Sequence, residues 1–361
     1  MAIARKGTKT GLQSGVCQFF QMMIVVGAGI IGLSSAWRLA QNGVCVTIFD
    51  ARETGAEASW AGAGMLAPGG EFEESSLLTQ MALASLAVYP DFVAELREIS
   101  EIDIDFRRCG ALDVAFADSD AEALTHRAAK QAAIGIISES ATHPGTVAAR
   151  FYPDDALVNP RDLTRALRIA CLRAGVQIRE HERVTSIVGN GQGVRTQKGE
   201  YAAETVLIAT GAWSAQLLPT AKIKPVRGHL VAWNNCNVTL GSILRNGSAY
   251  LVPRRGQIVA GSSTEHAGFV RTPDPAVIAD IQTRAALLLP ALAGLTPDET
   301  WLGFRPDIEG GIPSIGRLPG TAIWTAFGHY RNGILLAPET ARSIAASVTA
   351  DQCADGDCNV C

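Results

Sequence analysis

Three glycines near the start of the sequence have the spacing of a loop that binds a dinucleotide. Gly27, Gly29 and Gly32 follow the apolar run 22–26 and precede apolar residues at helical spacing. In a strand–loop–helix unit such glycines allow a tight turn, close approach of the backbone to a pyrophosphate, and close packing of helix on strand. The start of the helix, around Ile31, offers free N–H groups to the phosphates. The pattern therefore predicts a nucleotide site.

An acidic residue completes this unit at the end of the next apolar run. Asp50 follows the segment 44–49 and stands eighteen residues after Gly32. A carboxylate at this position can accept hydrogen bonds from ribose hydroxyls, and its charge disfavours a 2′-phosphate. We expect NAD or FAD rather than NADP, and this unit alone does not distinguish between the two.

Two further segments favour a flavin over a nicotinamide. The apolar run 205–209 leads into Thr210 and Gly211, with Trp213 after them. A strand that ends in Ala-Thr-Gly is similar to the second nucleotide contact of flavoproteins with two dinucleotide folds. Small residues dominate 55–70 without any lasting period, which indicates an ordered loop against which a flat ring can lie.

Alternating apolar runs and helical patterns predict the elements that carry these residues. Strands are expected at 22–26, 44–49, 110–116, 176–178, 184–188, 194–199, 205–209, 226–233, 249–252, 257–260 and 321–326. Helices are expected at 33–40, 77–89, 91–99, 120–137, 160–174, 275–289 and 334–350, and 142–152 is expected to be irregular. The order predicts an α/β (α+β) fold, in which a Rossmann-like FAD-binding domain is interleaved with a substrate domain containing an antiparallel sheet.

The two domains are expected to alternate along the chain. The FAD-binding domain is assigned residues 22–71, 146–217 and 301–350, and the substrate-binding domain is assigned residues 72–145 and 218–300. Residues 1–21 are expected to form a disordered extension. The segment 351–361 contains three cysteines (Cys353, Cys358 and Cys361) but no paired CxxC motifs at zinc-site spacing, so we expect a mobile tail and no metal site.

The composition is typical of a soluble globular enzyme, with 47% hydrophobic and 18% charged residues. A formal net charge of −4 and a pI of about 5.9 predict no basic face, so nucleic acid is not an expected partner. No apolar run approaches the roughly 18 residues of a bilayer span, so no membrane association is expected. The eight cysteines are scattered, which favours a reduced, cytoplasmic protein.

Several blocks of the sequence, in order, resemble the D-amino-acid oxidase family of FAD-dependent oxidoreductases, and within it the glycine oxidase branch. The blocks lie at 61–68, 250–254, 261–269, 301–306, 313–316 and 328–338, and the resemblance covers about residues 22–345. Related sarcosine oxidases attach the flavin through a cysteine in the C-terminal part. The absence of cysteine between Trp301 and Ala350 therefore implies non-covalent FAD.

The resemblance implies that the enzyme oxidises glycine or another small amino acid. A hydride would pass from the substrate Cα to flavin N5, O2 would become H2O2, and an imine would be released, with a role in forming the thiazole of thiamine. The implied partners are therefore a small amino acid and O2. A homo-oligomer is also expected, because oligomers are common in the family.

Three side chains are implied as the catalytic group. Arg305 would bind the substrate carboxylate, because the guanidinium fork matches two carboxylate oxygens. Tyr250 would add a hydroxyl hydrogen bond to that carboxylate, and Arg331 would lie beside the flavin and the substrate amine. Each also has a plainer interpretation: a surface arginine for Arg305, a core tyrosine for Tyr250, and an anchor for phosphate or the C-terminus for Arg331.

The implied FAD contacts lie on the glycine loop, the small-residue loop and the turn before the last helix. That turn would direct N–H groups at the pyrimidine end of the flavin and stabilise its reduced anion. The contacts are Gly27, Gly29, Ile31, Gly32, Asp50, Ala61, Gly62, Ala63, Gly64, Met65, Val184, Thr210, Gly211, Trp213, Gly328, His329, Tyr330, Arg331, Asn332 and Gly333.

Two positions depart from the family pattern and leave the substrate open. His229 stands where the family more often has glutamine; it could approach the flavin, but we interpret it as a hydrogen-bonded core histidine. Thr264 stands where some glycine oxidases carry a larger apolar residue, which puts glycine specificity in doubt. The alternatives are a D-amino-acid dehydrogenase with a quinone acceptor, a flavin-binding protein without catalysis, and an NAD dehydrogenase.

Overall fold

The computed structural model describes residues 22–354, so the predicted extension 1–21 lies outside the described residues, as do Cys358 and Cys361 of the predicted tail. The strands in this range are β1 (Met22–Val26), β2 (Cys45–Phe49), β3 (Met65–Leu66), β4 (Phe106–Arg107), β5 (Ala111–Ala115), β6 (Glu139–Ala141), β7 (Ala148–Tyr152), β8 (Ala156–Val158), β9 (Gln177–Arg179), β10 (Val184–Ile187), β11 (Gly193–Thr196), β12 (Glu200–Ala202), β13 (Thr205–Ile208), β14 (Ile223–Asn234), β15 (Ile243–Asn246), β16 (Ala249–Arg254), β17 (Gln257–Gly261), β18 (Glu299–Ile308), β19 (Ser314–Arg317) and β20 (Ile323–Phe327).

The helices of the described residues are α1 (Ile30–Gln41), α2 (Ala58–Ala61), α3 (Leu77–Ser100), α4 (Asp118–Ala132), α5 (Pro160–Arg173), α6 (Ser214–Leu217), α7 (Pro275–Leu288) and α8 (Gly333–Ala354). The predicted cap of α5 is present, because the Asn159 side chain accepts a hydrogen bond from the N–H of Arg161 and Pro160 opens the helix. Helix α8 reaches Ala354, so it includes Cys353 and the first part of the predicted tail.

The nucleotide unit of the fold is a six-stranded sheet in the order β19-β20-β13-β1-β2-β9. All its pairs are parallel except β19 with β20. Apart from Met22, the apolar runs of β1 and β13 are buried, as expected for central strands covered on both faces. The carboxyl ends of β1, β2, β13 and β20 deliver Gly27, Asp50, Thr210 and Gly328 to one edge of the sheet. Four segments that are far apart in sequence therefore meet there.

The second unit is an eight-stranded sheet in the order β18-β14-β17-β16-β15-β5-β7-β6. Its pairs are antiparallel except β5 with β15. These two sheets bear out the predicted fold class. The strands β7 and β18 hydrogen-bond within this sheet, although the predicted boundaries placed 146–217 and most of β18 in the other domain. The division into domains stays a prediction.

Two predicted elements were wrong. The segment 142–152 contains the strand β7, which pairs with both β5 and β6, and such long-range pairing leaves no local signature. The two helices predicted at 77–89 and 91–99 are one helix, α3, with Pro90 inside it. A proline removes one hydrogen bond of a helix. The buried rings of Tyr89 and Phe92 on either side pack in the core and hold the helix together.

Helix α3 is also long and apolar enough, by length and composition alone, to cross a membrane, which the sequence analysis did not anticipate. One such helix is weak evidence, because core helices of soluble proteins pass the same test. Its buried side chains pack against α5 and α8, and Ser85 and Tyr89 donate hydrogen bonds to carbonyls at the start of α8. The contacts of α3 are those of a core helix.

Candidate active site

The glycine loop has the shape that a pyrophosphate site requires. A Cβ on Gly27, whose φ is +109°, would lie 2.5 Å from the carbonyl oxygen of Ala209, and one on Gly32 would lie 1.9 Å from the carbonyl oxygen of Gly27. The N–H groups of Ile31 and Gly32, in the first turn of α1, donate to no atom among residues 22–354. Free N–H groups at a helix start suit phosphate oxygens, so the loop fits the nucleotide.

Asp50 is held at the end of β2 by two backbone N–H groups. Those of Ala28 and Arg52 donate to its carboxylate at 2.7 and 2.8 Å. Burial raises the pKa of this carboxyl, while the two hydrogen bonds act in the opposite direction. Because a carboxylate can accept about four hydrogen bonds, Asp50 retains acceptor capacity for ribose hydroxyls. A residue that the sequence analysis missed, Ser59, accepts from the N–H of Ile30 at 2.9 Å and fixes the helix start.

The small-residue loop is confined by neighbours on several sides. A Cβ on Gly64, whose φ is +92°, would lie 1.9 Å from the carbonyl oxygen of Val158, and one on Gly62 would lie 2.5 Å from Cδ1 of Ile334. The indole N–H of Trp301 donates to the carbonyl of Ala61 at 2.9 Å. The loop is therefore an ordered surface with little room for side chains, which suits a flat ring.

The remaining predicted contacts come from β10, β13 and the turn before α8. Trp213 follows β13 and stacks on Phe269 with ring centroids 4.8 Å apart. Gly328 has φ +89°, and a Cβ there would lie 2.9 Å from Cδ1 of Ile308. The N–H of Tyr330 donates to the carbonyl of Pro306 at 3.1 Å, which fixes the turn against β18.

These segments enclose one continuous cleft between the two sheets. It is lined by every predicted FAD contact except Gly32, together with Tyr250 and Arg305. Gly32 is not among the lining residues, and its assignment as a contact stays a prediction. Gly32 packs against the carbonyl of Gly27, and its lack of a side chain lets α1 pack closely against the end of β1. The contacts of the other residues with FAD stay a prediction.

His329 is buried in the turn before α8, and its burial lowers the pKa of the imidazole from 6.5 to about 3. Its Nε2 pairs with the hydroxyl of Thr340 at 3.1 Å. The unfolded chain binds the proton more tightly, so this residue stabilises the fold above pH 6.5, and the stabilisation is lost progressively as the pH falls toward 3.

We expect protonation linked to His329 to lower the free energy of unfolding by about 2 kcal/mol between about pH 6.5 and about pH 5. The variant His329→Gln should lose that part of the pH dependence, as measured by denaturant titration at the two pH values. His126→Gln, on the exposed face of α4, is the control and should keep the wild-type dependence. An unchanged dependence in His329→Gln would assign the effect to another group.

Arg305 lies on β18 with its guanidinium across Gly228, where a Cβ would come within 2.4 Å of both terminal nitrogens. Nη1 donates to the carbonyl of Ser263 at 3.0 Å, and Nη2 donates to the Ser262 hydroxyl at 2.8 Å. No carboxylate oxygen of the described residues lies within 4.0 Å of the Arg305 guanidinium nitrogens, so Arg305 has no ion pair among them. Since each terminal nitrogen has two hydrogens, Arg305 can still bind an anion in the cleft.

Tyr250 projects from β16 across Gly261 of the neighbouring strand. A Cβ on Gly261 would lie 2.3 Å from the Tyr250 hydroxyl oxygen, so glycine is needed beneath the ring. Within residues 22–354 the hydroxyl forms no hydrogen bond, and the half-buried side chain lines the cleft. A phenol without a hydrogen-bond partner and a guanidinium without an acidic partner line one cleft, and together they are suited to a carboxylate.

Arg331 lines the same cleft but is already paired. Its Nε and Nη2 donate to Glu71 at 3.2 and 2.6 Å. Burial acts to lower the pKa of this guanidinium, but the charge and hydrogen bond of Glu71 outweigh it and raise the pKa. Glu71 was missed by the sequence analysis, because 260 residues separate it from Arg331. The predicted position of Arg331 beside the substrate amine stays a prediction.

His229 lies behind the cleft, as a core histidine should. Its Nε2 accepts the N–H of Asp274 at 3.2 Å, so the proton of the neutral ring lies on Nδ1, which is 2.7 Å from Glu265. Glu265 also pairs with Arg227 and accepts from the Ser263 hydroxyl. Although desolvation opposes it, these hydrogen bonds lower the pKa of Glu265. The network holds the segment whose carbonyl orients Arg305.

Several lining residues had no recognisable signal in the sequence. Three are charged side chains at the mouth, where Glu57 pairs with Arg52 at 2.8 Å and with Arg271 at 2.6 Å. Residues 22–354 contain no cluster of three or more His, Cys, Asp or Glu side chains placed to hold a metal ion. The other missed lining residues include Arg183, Leu230, Arg245, Ser248 and Phe304.

A parallel sheet with this glycine loop and acidic residue, opening onto a cleft floored by a second sheet, defines an oxidoreductase that uses a dinucleotide. The sequence profile of one family, described as FAD dependent oxidoreductase (DAO), matches residues 22–347. The chain belongs to this family, and FAD is its cofactor. The loop, Asp50 and the small-residue segment are suited to that group.

Named relatives narrow the class. The glycine oxidase of Pseudomonas putida is 36% identical over 88% of this chain and 92% of that protein. The bifunctional protein ThiO/ThiG of Synechocystis is 33% identical over 89% of this chain but only 50% of its own length. The crystal structure of the glycine oxidase from Geobacillus kaustophilus has a TM-score of 0.87 at 31% identity, and the match covers 91% of this chain and 95% of that one. The protein is a flavin-dependent enzyme of amine or amino-acid oxidation, similar to glycine oxidases.

Proposed function

We propose that this enzyme oxidises glycine or another small amino acid to the imine, with O2 as the final acceptor and H2O2 as the second product. The observation that carries the proposal is Arg305, a cation on the cleft with no acidic partner among the described residues and with N–H groups to spare. A cation left unpaired in a cleft is suited to an anionic ligand. A substrate carboxylate supplies that charge.

The side chains of the cleft bind and orient the substrate. Arg305 donates to the carboxylate from a guanidinium whose rotation is fixed by Ser262 and Ser263. Tyr250 donates its free hydroxyl to the same carboxylate, which leaves the Cα–H and the neutral amine directed away from the arginine. Bound FAD would supply the acceptor for the hydride that leaves Cα. Holding the reactants in one geometry is a major part of catalysis here, and no side-chain base is required.

Exclusion of water falls to the aromatic side chains at the cleft. Phe304 is fully buried, and its ring lies edge-on to Trp213 and Phe269, with centroids 6.1 and 5.4 Å away. The salt bridge from Arg271 to Glu57 joins the segment carrying Phe269 to the small-residue loop. Where these rings exclude water, the hydrogen bonds from Arg305 to the carboxylate are stronger than they would be in bulk solvent.

The relatives support a small amino acid as substrate. Thr264 lines the cleft, and its hydroxyl adds a polar group that can bear on which amino acid is accepted. We also propose, from the family resemblance, a role in supplying the thiazole of thiamine and a homo-oligomer. From the scattered cysteines we propose a cytoplasmic protein. Non-covalent attachment of FAD belongs to the same proposal. The cleft residues include no cysteine among the described part of the chain, which supports it.

The visible spectrum of the purified protein, recorded without oxygen before and after addition of glycine, tests the proposal. We expect a flavin band that bleaches with glycine and returns with H2O2 when air is admitted. A band that persists with glycine, sarcosine and small D-amino acids would contradict the substrate class. Bleaching without peroxide in air would favour the D-amino-acid dehydrogenase. Release of all flavin on denaturation is expected for non-covalent FAD.

A further inference from the structure

A second arginine contacts the small-residue loop from behind. Arg254 ends β16 and is only 4% exposed. Its Nε and Nη2 donate to the carbonyl of Ala63 at 3.0 and 2.8 Å, and Nη2 also donates to the carbonyl of Gly62. One guanidinium therefore holds two successive peptide groups of the loop.

The charge of Arg254 lacks the partner that a buried cation normally has. No carboxylate of the described residues lies within 4.0 Å of its guanidinium nitrogens, and its Nη1 is buried without a hydrogen bond. Charges beyond that distance act in opposite directions, since Arg161 disfavours the charged form while Asp105 and Asp162 favour it. Burial lowers the pKa of the guanidinium to about 10, so it is still charged near neutral pH. Burying a charge without a direct partner destabilises the folded protein. A structural clamp alone does not need that charge.

The peptide geometry relates Arg254 to the cleft. In a trans peptide the C=O and N–H bonds point in opposite directions. The carbonyls held by Arg254 belong to the peptides whose N–H groups are those of Ala63 and Gly64, and these donate to no atom among residues 22–354. Both residues line the cleft. Arg254 thus turns two carbonyls away from the cleft and leaves two N–H groups unpaired beside it.

We propose that Arg254 is a positioning residue for the flavin, which orients the 62–64 peptides toward the ring and places behind them a positive charge that has no direct carboxylate partner. Positive charge and N–H donors favour the electron-rich, anionic form of reduced FAD, so they raise its reduction potential. The inference goes beyond the proposed function, because it concerns the cofactor whichever amine is oxidised.

The test measures the flavin without any amine substrate. The variant Arg254→Met, reconstituted with FAD, should have a lower flavin reduction potential and bind sulfite, which adds to flavin N5, about ten-fold more weakly or worse. Arg255→Met is the matched control, since its side chain is 60% exposed and pairs with Asp103 at 2.6 Å on the surface. It should leave both values at the wild-type level. Neither readout depends on the proposed substrate, so failure of glycine to react would not bear on this result.

A conservative variant covers the case in which Arg254→Met does not fold. Arg254→Lys keeps the charge but cannot hold two carbonyls with one planar group, so sulfite binding should weaken by a few-fold, less than in Arg254→Met. Wild-type potential and sulfite affinity in either folded Arg254 variant would overturn the proposal. So would an equal loss in Arg255→Met.

Discussion

The variant Arg305→Ala should lower kcat/KM for the amino acid by a factor of about 100 to 1000, mainly through KM, with FAD still bound. The substrate carboxylate would lose a charged partner that can bind both of its oxygens. The Tyr250 hydroxyl would be the one predicted donor left to it. The glycine loop predicted to bind the nucleotide lies on the other sheet, away from the strand that carries Arg305, so we expect FAD binding to be unaffected. Steady-state kinetics and the flavin spectrum measure the two effects separately.

Two companion variants sharpen this result. Arg305→Lys keeps the charge without the fork, so we expect it to recover only part of the lost kcat/KM. Arg317→Ala removes an exposed arginine at the end of β19, which is paired with Asp351 of α8. This variant should behave as the wild type. If Arg305→Ala retains the wild-type KM, the carboxylate is bound elsewhere, and the proposed role of Arg305 is wrong.

The first βαβ unit could be predicted from sequence because its signals are local. Gly27 and Asp50 are only 23 positions apart, and each stands where an apolar strand must end. Such spacing is imposed by one tight turn, one helix and one strand, so it survives in the sequence as a pattern. The cap at Asn159 is equally local, and the structure has it where the sequence placed it.

What the sequence could not show depends on contacts between distant segments. The pairing of Glu71 with Arg331 and the clamp of Arg254 on Ala63 join residues about 260 and 191 positions apart. Arg254 and Arg255 are neighbours of the same residue type, yet Arg254 is buried and Arg255 is exposed on the surface. Burial depends on the arrangement of both sheets, which no local pattern encodes. The strand β7 was missed for the same reason.

The variant Gly32→Ala should weaken FAD binding about 100-fold. A methyl group there would sit 1.9 Å from the carbonyl oxygen of Gly27, and both atoms belong to the backbone, so no side chain can move aside. The start of α1 must then separate from the loop, and the free N–H groups of Ile31 and Gly32 move away from the phosphates. Titration of the apoprotein with FAD measures the affinity.

The comparison with Gly241→Ala separates a local effect from general damage. Gly241 lies in an exposed loop with nothing within 4 Å of an added Cβ and no left-handed φ, so we expect wild-type FAD affinity and stability. The apoprotein of Gly32→Ala should also unfold at a lower temperature, because α1 packs between β1 and α8. Wild-type FAD affinity in a folded Gly32→Ala protein would mean that the pyrophosphate does not rest on this loop. The position of the whole cofactor in the cleft would then have to be reassigned, since the fit of Asp50 and of the small-residue loop depends on it.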